Sequence, residues 1–322
     1  MSLPRIVVVV PCHRSRAQVL DVLARIGPEC TRIFVVDDAC PEGTGAHVEQ
    51  GTRDPRVRVL RLAQNQGVGG ATLAGYRAAL AEGADVLVKL DSDGQMDPAL
   101  IPALVAPILA GESDYTKGNR FFELDGLAPM PPVRLLGNAA LSFLNKLSSG
   151  YWEIFDPTNG FTALHASVAR VLPFDKVARR YFFESDLLFR LGTLRAVVVD
   201  VPMAARYGDE QSGLSVARAL PEFALRHARN FLKRVLYGYY LRDLNFASLE
   251  LALGLPLLLG GAWFGVRSWA EASRLGVLTS SGTVMLAALP ILLGMQLLLG
   301  FLHHDMHATP RQPIHRRLGP RA

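Results

Sequence analysis

Two stretches toward the end of the chain constrain it more than anything else. Ala247 to Val266 carries one charge, Glu250, and Thr283 to Leu302 carries none. In a helix rising 1.5 Å per residue, about 20 apolar residues cross the roughly 30 Å of a bilayer's hydrocarbon. The pattern therefore predicts transmembrane helices over 247–266 and 283–302, with Arg267, Glu271 and Arg274 in the link between them. Arg226, Arg229, Lys233, Arg234 and Arg242 precede the first span, and Arg311, Arg316, Arg317 and Arg321 follow the second. The link is poorer in cations than either flank, so the positive-inside rule expects a hairpin with both flanks cytoplasmic.

Ahead of the hairpin, residues 221–246 set Phe231, Val235 and Tyr239 at helical spacing beside that first basic group. This is the composition of a helix lying in a membrane interface. Four segments result: a soluble domain over 1–220, an interfacial helix over 221–246, the hairpin over 247–302 and a basic tail over 303–322. His303, His304 and His307 sit at the membrane boundary and read as interfacial rather than as a metal cluster.

The first 220 residues alternate strand and helix. Ile6 to Val10, Arg32 to Val36, Val57 to Leu62 and Val86 to Leu90 are apolar runs, and Ala196 to Val201 is another. Strands buried on both faces of a parallel sheet read this way. Helical spacing fills the intervals, which predicts an open α/β sheet of parallel strands. In such sheets ligands lie beyond the carboxyl ends of the strands. The notable polar residues fall there: Asp37 and Asp38 after the second strand, Asn65 to Gly70 after the third, Asp91 and Asp93 after the fourth.

Asp91 and Asp93 are one residue apart, so in an extended segment they point the same way. Gly94 permits a turn and Gln95 adds a neutral oxygen. This set of hard oxygens suits Mg²⁺ or Mn²⁺, with places left for phosphate and water. Asp37 or Asp38 is placed to accept hydrogen bonds from a nucleobase or ribose. The turn at Gly67 to Gly70 would let backbone approach a ligand, although it has no Lys-Ser/Thr of a Walker loop. Arg120 and Arg206 are candidates for holding phosphate. Asp156, Glu184 and Asp186 are candidate acids on the acceptor side.

The formal charge of +5 suits phosphate ligands or an anionic membrane surface. No zinc-finger or aromatic RNA-binding signature accompanies it, so nucleic acid is not an expected partner. Three cysteines without regular spacing, Cys12, Cys30 and Cys40, favour a reducing compartment over a disulfide framework. The first residues run straight into a strand without the pattern of a signal peptide.

Val7 to Pro11, Val35-Val36-Asp37-Asp38, Asn65-x-Gly67-x-Gly69, Asp91-Ser92-Asp93-Gly94-Gln95-Met96-Asp97-Pro98, Gly118-Asn119-Arg120-Phe121 and Asp156-x-Thr158-x-Gly160-Phe161 occur in that order. Over about residues 5–215 this set resembles glycosyltransferase family 2, in its polyprenyl-phosphate branch. The resemblance implies a GT-A fold, Rossmann-like and mostly parallel, acting on a UDP- or GDP-linked sugar at the inner membrane. It implies Mg²⁺ or Mn²⁺ on Asp91, Asp93 and Gln95, and a donor that also meets Pro11, Asp37, Asp38, Asn65 and Gly69. The lipid phosphate or the diphosphate would meet Arg120, Thr158, Arg206 and Ser212, and Asp93, Asp156, Glu184 and Asp186 would be the catalytic acids. A homo-oligomer is compatible with all of this. Cys12-His13-Arg14, Ala39-Cys40 and the acidic run after Arg206 depart from the family pattern.

The reaction expected is metal-dependent, inverting transfer of a sugar to a membrane polyprenyl phosphate. One alternative is transfer to a hydroxyl of a lipid-linked glycan, with Asp186 or Glu184 as base. A second, of another class, is a non-catalytic membrane-tethered partner that binds nucleotide sugar.

Overall fold

The computed structural model describes residues 3–122, 132–203 and 216–319. It divides into two compact units, residues 1–231 with 310–322, and residues 232–309.

The first unit is built on a seven-stranded sheet. Its strands are β1 (Ile6–Cys12), β2 (Cys30–Asp37), β3 (Val57–Arg61), β4 (Val86–Lys89), β5 (Tyr115–Asn119), β6 (Thr162–His165) and β7 (Val198–Pro202), in the order β3-β2-β1-β4-β6-β5-β7. The helices are α1 (Val19–Ala24), α2 (Thr44–Gly51), α3 (Gly67–Ala81), α4 (Ile101–Leu109), α5 (Pro132–Ser149), α6 (Ala166–Val171) and α7 (Phe183–Leu194). Successive strand residues face opposite sides, and β1 shows why its run is apolar throughout. Val7 and Val9 pack with Ala71 and Tyr76 of α3 and Leu187 of α7. Ile6, Val8 and Val10 pack with Val19 and Val22 of α1 and Leu104 of α4. Helices cover both faces, so no position in the strand is left for a polar side chain.

The sheet is mostly parallel, as the family resemblance implies, and not wholly so as the apolar runs suggest. β6 lies antiparallel to both β4 and β5, and β5 pairs parallel with β7. The apolar pattern predicts neither β5 nor β6, because their sequences, YTKGN and TALH, are short or polar. They are nevertheless buried, since their polar groups find partners. Thr116 Oγ1 donates to the Leu104 carbonyl at 2.6 Å, and Asn119 Nδ2 to Asp200 Oδ2 at 3.0 Å.

Residues 310–319 dock back onto this unit. Buried Asp114 accepts backbone N–H groups from Val197 at 2.8 Å, Ile314 at 2.8 Å and His315 at 2.9 Å. Its Oδ1 also lies 2.7 Å from His315 Nδ1, and the His315 ring stacks on His165 with centroids 4.2 Å apart.

α8 (Val216–Val235) runs out of the first unit and passes into a π-helical segment, Leu236–Arg242. Leu225, Leu232, Leu236, Leu241 and Leu244 are exposed along this stretch. The second unit is chiefly the hairpin of α9 (Phe246–Leu275) and α10 (Ser281–His307). Both helices are long and apolar enough to cross a membrane, and little of either apolar window is buried. They extend further than 247–266 and 283–302. Arg267, Glu271 and Arg274 continue α9 instead of forming the link, which shrinks to a turn opened by Gly276 in the left-handed conformation. The two helices touch at glycine: a Cβ on Gly294 would come within 2.5 Å of the Leu258 nitrogen, the close backbone approach that small residues allow. Arg234 grips Asp305 through two nitrogens at 2.6 and 3.0 Å, and the Tyr239 hydroxyl donates to the same carboxylate at 2.6 Å.

Candidate active site

β4 carries the site. It lies between β1 and β6, buried along its length, and delivers Asp91 just past its carboxyl end. The chain does not stay extended there; it turns at Ser92 and Asp93, and Gly94 adopts a φ of 78°. Ser92 points inward, its hydroxyl donating to the Pro11 carbonyl at 3.0 Å and meeting Ser15 Oγ at 2.8 Å. Asp91 and Asp93 on either side of it remain partly exposed. The turn is locked by the Gln95 N–H donating to Asp93 Oδ1 at 3.0 Å. The Pro11 carbonyl thus braces the turn.

Behind Asp91 stands a residue that sequence reasoning passed over. Lys89 is fully buried, with its ammonium 2.6 Å from Asp91 Oδ1, 3.3 Å from Glu184 Oε1 and 3.3 Å from the Gly160 carbonyl. The signal was present: one charge inside Val86-Leu87-Val88-Lys89-Leu90, where a buried lysine has to be paired. Burial works against the charge on Lys89, but the carboxylates of Asp91 and Glu184 outweigh it and raise its pKa, so it stays a cation. Burial also pushes the Glu184 carboxyl up, with Lys89 pulling the other way. Gly160 leaves Asp91 and Lys89 room: a Cβ there would lie 2.3 Å from Asp91 Oδ2 and 2.4 Å from Lys89 Nζ.

The loop before β6 forms a second cluster. Asp156 is buried at a φ of 48°, and Arg120 clasps it with Nε on Oδ2 and a terminal nitrogen on Oδ1, both at 2.8 Å. The Arg120 N–H and Asn159 Nδ2 add contacts to Oδ2 at 3.2 Å. Burial acts to raise the Asp156 pKa, but Arg120 outweighs it and holds the carboxyl below the usual carboxylate range. Lys117 fills the space beneath, donating to the Phe155 carbonyl at 2.8 Å and lying 3.5 Å from Asp200. Two residues read separately as a phosphate ligand and a catalytic acid are thus one ion pair. Asp156 positions Arg120, and Thr158 is exposed on the same loop.

Asp186 is committed elsewhere. Its carboxylate accepts from the Ala178 N–H at 2.9 Å, Arg190 Nε at 3.0 Å and Asn230 Nδ2 at 3.1 Å. Glu184 and Asp186 are two apart on α7, so they face different surroundings, and only Glu184 reaches the Asp91 cluster.

On the donor side the acids shape loops. Asp37 accepts the Cys40 and Gly45 N–H groups at 2.7 and 2.8 Å, and Asp38 accepts those of Gln66 and Gly67 at 2.6 and 2.8 Å. They tie down the starts of α2 and α3, where backbone donors are otherwise unpaired. Asn65 Nδ2 reaches the Asp38 carbonyl at 3.3 Å and His13 Nδ1 at 3.2 Å. Gly69 gives room to protein: a Cβ there would lie 2.7 Å from the Ala178 carbonyl and from Phe183. Arg206 and Ser212 lie outside the described residues.

No group of three or more His, Cys, Asp or Glu is placed to hold a metal ion among the described residues. The donor set at Asp91 and Asp93 still fits Mg²⁺ or Mn²⁺, because Mg²⁺ in particular is commonly held by one or two carboxylates plus substrate phosphates and waters.

Comparison with known proteins is in accord with this geometry. Residues 7–172 match the family described as Glycosyl transferase family 2. An undecaprenyl-phosphate mannosyltransferase of Micrococcus luteus is 31% identical over 204 residues, 62% of this chain and 82% of that protein. A polyprenol monophosphomannose synthase of Mycolicibacterium smegmatis is 30% identical over 216 residues, 66% of this chain and 80% of that protein. Among solved structures, glucosyl-3-phosphoglycerate synthase from Mycobacterium tuberculosis, in complex with Mn²⁺, UDP and glucosyl-3-phosphoglycerate, aligns at a TM-score of 0.53 and 21% identity. That alignment covers 72% of this chain and 80% of the other, a likeness of fold.

Proposed function

The chain belongs to glycosyltransferase family 2, and from that premise we propose that it moves a hexosyl group from a UDP- or GDP-linked sugar to a membrane polyprenyl phosphate, with inversion at the anomeric carbon. The observation that carries this reading is the Asp91–Asp93 turn at the end of β4, braced by Lys89 and Pro11, in a chain that also holds two helices of membrane length. The names of the two relatives point to the same acceptor class.

Asp91 and Asp93 would hold a divalent ion against the donor diphosphate, with the Gln95 amide oxygen as a further ligand. Such an ion neutralises charge that builds on the departing diphosphate. An oxygen of the lipid phosphate attacks the anomeric carbon from the opposite face. The new carbon–oxygen bond forms as the bond to the nucleoside diphosphate breaks. Arg120, oriented by Asp156, and Arg206 are proposed to meet phosphate oxygens. Asp37 and Asp38 act on the nucleoside through the loops they fix.

A phosphomonoester is largely ionised near neutral pH, with a second pKa of about 6, and needs little help from a base. This favours a phosphate acceptor over a hydroxyl. The two acids that would serve a hydroxyl as base are engaged elsewhere, Asp186 by three donors and Glu184 by buried Lys89. The hairpin would keep the domain at the cytoplasmic membrane surface, where the lipid head sits.

The test is a panel of UDP- and GDP-sugars offered to the purified full chain in detergent, with undecaprenyl phosphate and Mn²⁺. The expected product, read by mass spectrometry, is a lipid-linked hexosyl phosphate that disappears when EDTA is added. Product formed without divalent ion, or only on hydroxyl acceptors, would overturn the proposal. Absence of turnover with every donor would leave the nucleotide-sugar-binding partner as the better reading.

A further inference from the structure

We propose that Lys89 and Glu184 form a charge-balanced buried pair that sets how tightly Asp91 holds its divalent ion, and that Glu184 is a positioning residue, not an acid or base. This rests on reading Asp91 and Asp93 as the metal-diphosphate site.

An ammonium group has three donors. Those of Lys89 face three acceptors: Asp91 Oδ1 at 2.6 Å, the Gly160 carbonyl at 3.3 Å and Glu184 Oε1 at 3.3 Å. The side chain has no exposed surface, so no donor remains for substrate. Its work is on Asp91. It fixes one carboxylate oxygen, while Gly160, lacking a Cβ, leaves room for the other.

The same contact has an electrostatic cost. A cation this close to Asp91 cancels much of the attraction that the carboxylate offers a metal ion. Glu184, brought up from α7, restores it, because two carboxylates and one ammonium leave the trio with a net negative charge. At an effective dielectric of about 20, unit charges a few ångströms apart interact by enough to move an affinity more than tenfold. Since no third acid joins Asp91 and Asp93 among the described residues, this balance decides whether the ion binds by itself or only with a diphosphate. The arrangement suits an ion that arrives and leaves with the nucleotide.

The prediction is a rescue. Glu184→Gln leaves Lys89 unopposed beside Asp91 and should weaken Mn²⁺ binding, measured by electron paramagnetic resonance of free Mn²⁺ with UDP and separately with GDP, at least fivefold. Lys89→Met with Glu184→Gln removes both charges together, keeps the net charge of the cluster, and should return Mn²⁺ affinity to within about threefold of the parent chain. Melting temperatures measured alongside identify folded samples. If Glu184→Gln does not fold, the double variant alone decides, and an affinity more than tenfold below the parent overturns the proposal. Unchanged Mn²⁺ affinity in Glu184→Gln, with transfer abolished, would make Glu184 a catalytic group and also overturn it. A parent chain that binds no Mn²⁺ with either nucleotide would remove the metal-diphosphate reading itself, and this inference with it.

Discussion

Replacing Gly160 by alanine probes the surroundings of Asp91 with the smallest possible change. Its φ lies outside the left-handed range, so alanine fits the backbone and the whole effect comes from one methyl group. That methyl would sit 2.3 Å from Asp91 Oδ2, 2.4 Å from Lys89 Nζ and 3.1 Å from Asp91 Cγ. Ordinary contacts lie near 3.5 Å or beyond, so a carboxylate or an ammonium has to move by about 1 Å. Lys89 is enclosed and cannot swing into solvent, which leaves Asp91, at 26% exposed, as the side that gives way. Overpacking of this kind costs about 1–3 kcal/mol, a fall in melting temperature of very roughly 2–10 °C for a chain of this size. A catalytic group displaced by about 1 Å costs on the order of 100-fold in rate. The assays are thermal unfolding, Mn²⁺ binding in the presence of nucleotide, and sugar transfer. Weakened Mn²⁺ binding and about 100-fold slower transfer are expected. A Gly160→Ala chain that matches the parent in both would refute the placement of Asp91 and Lys89 around this glycine.

Three further outcomes follow from the same contacts. Asp186→Asn should slow transfer less than about tenfold while lowering stability by about 1–3 kcal/mol, the cost of leaving buried donors unpaired; near-total loss of transfer at unchanged stability would instead mark a hydroxyl acceptor with Asp186 as base. Asp156→Ala removes the clasp on Arg120 and should cost about 3 kcal/mol, reduced by the water that reaches Arg120 at its 28% exposed side chain; an unchanged melting temperature would deny the pair a structural role. His227 is buried, and burial drops its pKa to about 4, so the folded chain binds fewer protons there than the unfolded chain, whose histidine titrates near 6.5. Its contribution is complete above pH 6.5 and about 3 kcal/mol is lost as pH falls toward 4; His227→Leu should flatten that acid limb in thermal unfolding followed against pH.

β1, the end of β2 and Val86 to Val88 of β4 are legible because apolar side chains bury them, and hydrophobic runs report that directly; β3, at the sheet's edge, is less buried than its run suggests. β5 and β6 are not legible, because Lys117, Asn119 and Thr116 are buried through ion pairs and hydrogen bonds that exist only once the chain is folded. The same limit applied to the site. Asp91, Asp93 and Gly94 announce themselves by spacing, whereas the Arg120–Asp156 pair spans 36 residues and needs β5 and β6 side by side. Asp37 and Asp38 were recognisable as strand-end acids, but which N–H groups they would hold depended on where α2 and α3 begin. Arg267, Glu271 and Arg274 look like a link because charge usually ends a membrane span, yet α9 continues through them to Gly276.

The seat of Ile314 and His315 on Asp114 bears on how the protein is made. Asp114 leaves the ribosome 201 residues before His315, with both long apolar helices still to be synthesised in between. Until then this carboxylate lacks three of its four partners, and the start of β5 stays unsealed. A domain made before the hairpin is thus completed by a piece made after it, and a nascent chain stalled at the hairpin carries an open seam that a protease or chaperone can find.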